Sequence, residues 1–205
     1  MRWLVLAVLC AISSGVIAEA MFLIPADNPK PKYPRALYRA GIMGDVRVSF
    51  TVHSDGSVSK VMAVPGKSHA ELVDASLAAV NRWRFKPWSI TSDRPPEIEV
   101  VAPMSFRLDS DIPIHANEEL KQLTCGDVSR EAQHLGDNSW VDMVVFRYTR
   151  SYLSHSFSSS QIPDEKRLAL IAKLNKNIPS IVRRCNTHPA TRYVRFLPEE
   201  IRELL

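Results

Sequence analysis

The chain has few of the residues that chemistry needs in close order. Its six histidines (His53, His69, His115, His134, His155 and His188) include no pair at metal-ligand spacing. It contains no G-x-S-x-G, no phosphate-binding loop and no Cys-x-x-Cys. Aspartate and glutamate are scattered over positions expected to cap helices or face solvent. The sequence therefore predicts no catalytic residue, no metal site and no cofactor, which argues against an enzyme. Charge of one sign is never concentrated either. Residues 21–114 carry twelve basic and ten acidic side chains, and residues 115–205 carry thirteen and eleven. A net charge of +4 spread this evenly lacks the clustered footprint that nucleic acid requires.

Long apolar runs are scarce as well. Trp3–Ile12 is ten residues, half of what a spanning helix needs. With Arg2 ahead of it and small residues at Ala18 and Ala20, residues 1–20 read as a cleavable secretory signal, cut after Ala18 or Ala20. The alternative is an inner-membrane anchor formed by residues 3–18. Export predicts the periplasm and an oxidising surrounding. Cleavage removes Cys10 and leaves Cys125 and Cys185, an even number, so a structural disulfide is expected between them. Closing that loop would stabilise the fold by about 4 kcal/mol in the chain-entropy view.

What is present divides into a short Pro-containing spacer (residues 21–30), an α+β domain (31–110) and a helical domain with the disulfide (115–205). Tyr33–Gly41 opens on Pro34 and closes on Gly41, the asymmetry of a short helix. In 45–52, Val46, Val48, Phe50 and Val52 alternate with polar residues, as in a half-buried strand. Asp55-Gly56 then turns the chain into a second strand, Val58–Val64. Ser68 and Glu71 are spaced as a capping box before a helix predicted over 69–83, with Leu72, Val73, Leu77, Val80 and Trp83 as its inner stripe. Residues 98–108 alternate again and make a last strand, Pro103 favouring an edge. Trp83 and Phe85 are expected in the core, and Arg82, Arg84 and Lys86 on a solvated rim.

Beyond residue 115 the patterning is helical. Segments 118–123 and 128–135 flank Cys125. Ser139 to Asp142 is spaced as a second capping box, ahead of a helix carrying Val141, Val144, Val145, Tyr148 and Tyr152. Pro163 opens a further helix, Pro179 is read as starting another that carries Cys185, and Pro198 a final turn.

Tyr33-Pro34, Gly44, Asp55-Gly56 and Trp83-Arg84-Phe85-Lys86-Pro87, in that order, make residues 31–108 resemble the TonB C-terminal-domain family. The resemblance implies an antiparallel sheet with two helices on one face. It also implies capture of an extended segment of an outer-membrane transporter, or another envelope protein, by strand addition. The strand it points to is Val58, Ser59, Lys60, Val61, Met62, Ala63 and Val64, with Lys60 and Met62 flanking the guest and strand 98–108 a competitor for the same edge. A homodimer through the sheets is a further implied partner; nucleic acid is not. The family's long Pro-rich spacer is replaced by residues 25–34, reaching about 35 Å. Residues 1–20 have no histidine, and their one carboxylate, Glu19, lies beyond the apolar run. Recognition is therefore expected, without energy transduction. Cys125, a central helix and Cys185-Asn186-Thr187-His188-Pro189 resemble HdeA-type periplasmic helical proteins, which implies an alternative role as chaperone, holdase or inhibitory subunit. An unrelated helical cap over the sheet's edge or face is the other reading of this half.

Overall fold

The computed structural model describes residues 23–110, 112, 113, 115–154 and 162–205. The signal or anchor reading of residues 1–20 lies outside them. Among the described residues, no helix is long and apolar enough to cross a membrane.

The lead-in expected as a spacer joins the first half. Pro25–Asp27 (β1) pairs antiparallel with Arg84–Phe85 (β4). The Lys86 N–H donates to Ile24 O at 2.9 Å, and Trp83 Nε1 donates to Pro29 O at 3.0 Å. The Trp-Arg-Phe motif thus serves partly to hold the chain's entry to the domain. Pro34 sets the approach to Arg35–Ala40 (α1), and Gly41 ends that helix with φ of 78°, its N–H bonding Leu37 O and Tyr38 O.

Gly44–His53 (β2) is the central strand of a three-stranded antiparallel sheet, with Val58–Ala63 (β3) on one side and Glu97–Phe106 (β5) on the other. The alternation in β2 aims Val46, Val48, Phe50 and Val52 at one face. There they join Leu37 of α1, Leu72 and Val80 of Ala70–Val80 (α2), and Phe85, Met104 and Phe106 in a single core. Both helices lie on that one face, as the sequence implied.

The capping box predicted at Ser68 does not form. His69 is the N-cap of α2 with no side-chain cap bond, and Ser68 Oγ donates to Asp45 O at 2.5 Å. Tying α2 to the start of β2 satisfies that hydroxyl better than a local cap. The helix stops at Val80, so Trp83 and Phe85 enter the core from the turn and strand that follow rather than from its stripe.

In the second half, Ala116–Gln122 (α3), Cys125–Gln133 (α4), Val144–Leu153 (α5), Asp164–Thr187 (α6) and Glu199–Arg202 (α7) share a second core built on Leu120, Phe146, Ile171, Leu174, Ile178 and Tyr193. Here too a predicted capping box fails: residues 137–142 are a 3-10 turn and α5 begins only after Met143. A box that sequence spacing did not single out does form, between Thr124 and Asp127 at the start of α4. Pro179 starts no new helix but sits exposed inside α6. Cys125 and Cys185 are disulfide-bonded, joining the first turn of α4 to the last turns of α6.

Candidate strand-addition edges

Strand order decides which backbone groups are left for a guest. In β3-β2-β5 the central strand is saturated on both sides, so β3 and β5 each present an outer edge with no strand against it among the described residues. Strand 98–108 therefore does not compete for the β3 edge: it pairs with the far side of β2.

The predicted segment Val58–Val64 contributes six residues to β3, and Val64 follows the strand. Thr51 faces Ser59 while Ser49 faces Met62, so one extra residue is accommodated between them. That bulge is centred on Lys60, whose φ is 51°, a left-handed backbone on a residue with a β-carbon. Lys60 points to the uncovered face of the sheet, 3.8 Å from Glu97, and Met62 beside it is 61% exposed. A short strand, a bulge and an edge lysine are features that blunt an edge against added strands.

β5 is different. It faces β2 through ten consecutive register pairs, Gly44↔Phe106 to His53↔Glu97, with no shift. The Ser54 N–H donates to Pro96 O at 2.8 Å, which sets the parity of the ladder. Even-numbered residues of β5 turn their backbone to β2, and Glu97, Glu99, Val101, Pro103 and Ser105 turn theirs outward. Pro103, lacking an N–H, therefore stands where none is used by the domain's own sheet. Val101 is 49% exposed at mid-strand. Beyond Pro103 the edge opens on a groove of about 410 Å³ between β5 and Lys30, Pro31 and Tyr33 of the lead-in. Tyr33 is held in place by donating to Ile42 O at 2.7 Å, and burial pushes its hydroxyl pKa up to about 12. The groove thus presents a fixed phenol, not an ionising one.

Among the described residues, no strand or helix of the helical half pairs with either edge. That half docks on α1. Asp142 takes a two-pronged bond from Arg39, at 2.8 and 2.5 Å, and a further one from Arg35 at 2.6 Å. These arginines, Arg39 first, hold its carboxyl below the usual range. Asn175 Nδ2 donates to Arg39 O at 2.8 Å, Arg167 Nη1 donates to Gly41 O, and Ser151 Oγ donates to Leu108 O at 2.6 Å. A β-carbon at Gly41 would lie 2.4 Å from the Ile171 Cδ1 of α6, so that side chain would have to shift. Arg150 is fully buried: its guanidinium donates to Asn175 Oδ1 and Val141 O and lies over the Tyr38 ring, with the Asp142 carboxylate acting on it through space. Burial accordingly depresses its pKa.

Among the described residues no group of histidine, cysteine, aspartate or glutamate could hold a metal ion. The β5 edge was legible in the sequence only as alternation plus Pro103. Nothing local said which edge would be regular.

Residues 29–108 match the family model described as Gram-negative bacterial TonB protein C-terminal. Over 82 residues the chain is 30% identical to Protein TonB of Xanthomonas campestris pv. campestris (strain B100), covering 40% of this chain and 36% of that one. It is 32% identical to Protein tonB2 of Pseudomonas aeruginosa over 82 residues, 40% of this chain and 30% of that one. The chain thus spans about a third of the length of the curated relatives it matches. The solution NMR structure of the Pseudomonas aeruginosa TonB C-terminal domain aligns at 26% identity and a TM-score of 0.35, covering 42% of this chain and 85% of that one. That of the Helicobacter pylori domain aligns at 28% and 0.31, covering 40% and 72%.

Proposed function

Taking residues 29–108 as a domain of the TonB C-terminal family, we propose that the chain is a non-enzymatic recognition module of the cell envelope. It captures an extended segment of a partner, an outer-membrane TonB-dependent transporter foremost, by adding it as a strand to its three-stranded sheet. The guest's main chain supplies most of the affinity through ladder bonds, and pockets for alternate side chains supply choice.

The observation that carries this reading is the ten-residue β5, paired without interruption on one side and open on the other. The second reading places the guest on Val58–Val64. It is favoured by the exposure of Met62 and disfavoured by the bulge at Lys60. On β5, the N–H groups of Glu97, Glu99 and Val101 meet no partner strand among the described residues before Pro103 interrupts the row, enough for a guest of about five residues.

Photo-crosslinking in cells distinguishes the edges. A photoreactive side chain at Val101 should capture a transporter or its extended segment, while one at Met62 should not. Capture from Met62 alone moves the site to β3, and capture from neither overturns strand addition. Val101→Pro removes one outward N–H without touching the β2–β5 ladder. It should weaken binding of the captured segment about tenfold, the loss of one main-chain bond, with the melting temperature little changed.

A further inference from the structure

We infer that the helical half carries a second binding site, independent of the sheet edges: a socket for one aliphatic or aromatic side chain of a partner peptide, flanked in that peptide by lysine or arginine. The socket is a cavity of about 190 Å³ where α3, α4 and α5 diverge. Its walls are Leu120, Leu123, Val128, Val145 and Tyr148, and Val144 stands 45% exposed at its mouth. An apolar cavity of about 150 Å³ is enough to admit a benzene ring, so this one has room for a leucine or phenylalanine side chain.

Charge at the rim selects the neighbours of that side chain. Among the described residues, the charged groups lining the cavity are Glu119, Asp127 and Glu131, with no lysine or arginine. This is a chain with 26 basic and 22 acidic residues, so a purely acidic lining runs against its own balance. The three carboxylates are not equivalent. Asp127 is already engaged, by Thr124 in the capping box and by Arg130 at 3.3 Å. Glu131 Oε1 accepts the Val144 N–H at 2.7 Å, which fixes it over the start of α5, and it makes no ion pair among the described residues. Glu119 is exposed, and its side chain makes no hydrogen bond or ion pair among the described residues. Two carboxylates on the rim thus make no ion pair among the described residues, one fixed at the start of α5 and one exposed, around an apolar opening. Apolar burial would anchor the guest, and the rim would set orientation, rejection of acidic sequences and a dependence on salt.

The test uses the full chain with its disulfide formed and three capped pentapeptides. The first has leucine at its centre between lysine and arginine, the second has leucine between two glutamates, and the third replaces the leucine of the first by serine. Amide shifts are followed by NMR. The first peptide should shift Leu123, Val144 and Tyr148, more weakly as salt is raised, and the other two should not. Glu119→Lys, at an exposed and unpartnered position, should weaken the first peptide about tenfold while leaving the melting temperature unchanged. Equal binding of the glutamate or serine peptide, or shifts scattered elsewhere, would overturn the proposal. So would the same shifts arising from raised protein concentration alone, since a second copy would then be the occupant.

Discussion

At Gly56 a β-carbon would stand 2.0 Å from the Phe85 carbonyl oxygen, on a backbone with φ of 84°. Asp55-Gly56 reads in the sequence as a hairpin turn, but the turn alone would tolerate asparagine. The close approach does not, because Phe85 N–H donates to Gly56 O at 2.9 Å and ties β4 to the hairpin. Gly56→Ala should therefore cost about 2 kcal/mol or more, combining left-handed strain with displacement of β4. Equilibrium denaturation reads this directly, and a loss below half that value would mean the Phe85 contact yields easily. Lys60 is the converse case. It holds a left-handed backbone without being glycine, and its sequence context, Val-Ser-Lys-Val-Met, looks like uninterrupted strand.

Among the elements, α6 departs furthest from local expectation. Pro179 has no N–H to give and would normally end a helix, yet Asp164–Thr187 continues through it for 24 residues. The reason is tertiary: Ile171, Leu174, Ile178, Ile181, Val182 and Cys185 are all buried along one side, and Pro179 faces solvent. Packing on both sides of the proline outweighs a missing bond on the exposed face. Pro179→Ala should restore that bond and stabilise the chain by about 1–3 kcal/mol, visible as a raised melting temperature. No gain would mean that the helix has already relaxed around the proline. The two outer strands make the same point in β structure. β3 and β5 have similar alternation in sequence, but the bulge divides β3 and leaves β5 regular.

For the molecule as a whole, the decisive contact is the seating of the helical half on α1. Its central carboxylate, Asp142, is held below the ordinary carboxylate range by Arg39 and Arg35. A depressed carboxyl contributes stability that is fully present above its unfolded value, about pH 3.9, and that fades as pH falls through the folded one. At neutral pH, Asp142→Asn should cost about 1 kcal/mol, and the gap to the unmodified chain should close on acidification below the ordinary carboxylate range. Denaturation at a series of pH values measures it. A gap that stays constant would assign the effect to packing rather than charge. Among the described residues the helical half meets α1 and the end of β5 rather than the sheet's outer edges, which leaves the proposed strand-addition surface open.

Local chemistry determined a good part of this protein. The alternation in 45–52, the Asp55-Gly56 turn and the Trp83-to-Pro87 motif, read in order, were enough to point to the family model that residues 29–108 match. Two cysteines in a chain read as exported were enough to expect the bridge between Cys125 and Cys185. Each of these signals lies within a few residues of its cause or follows from simple counting. What the tertiary structure alone decided is everything that depends on partners distant in sequence. Asp142 looked like a capping residue and became the anchor for Arg39, 103 positions away. The lead-in looked like a spacer and became a strand against β4. Which edge of the sheet stays regular and open was settled by strand order and one bulge, and neither is written in the period-2 pattern, because that pattern reports which face a side chain takes and says nothing about which neighbour its backbone finds.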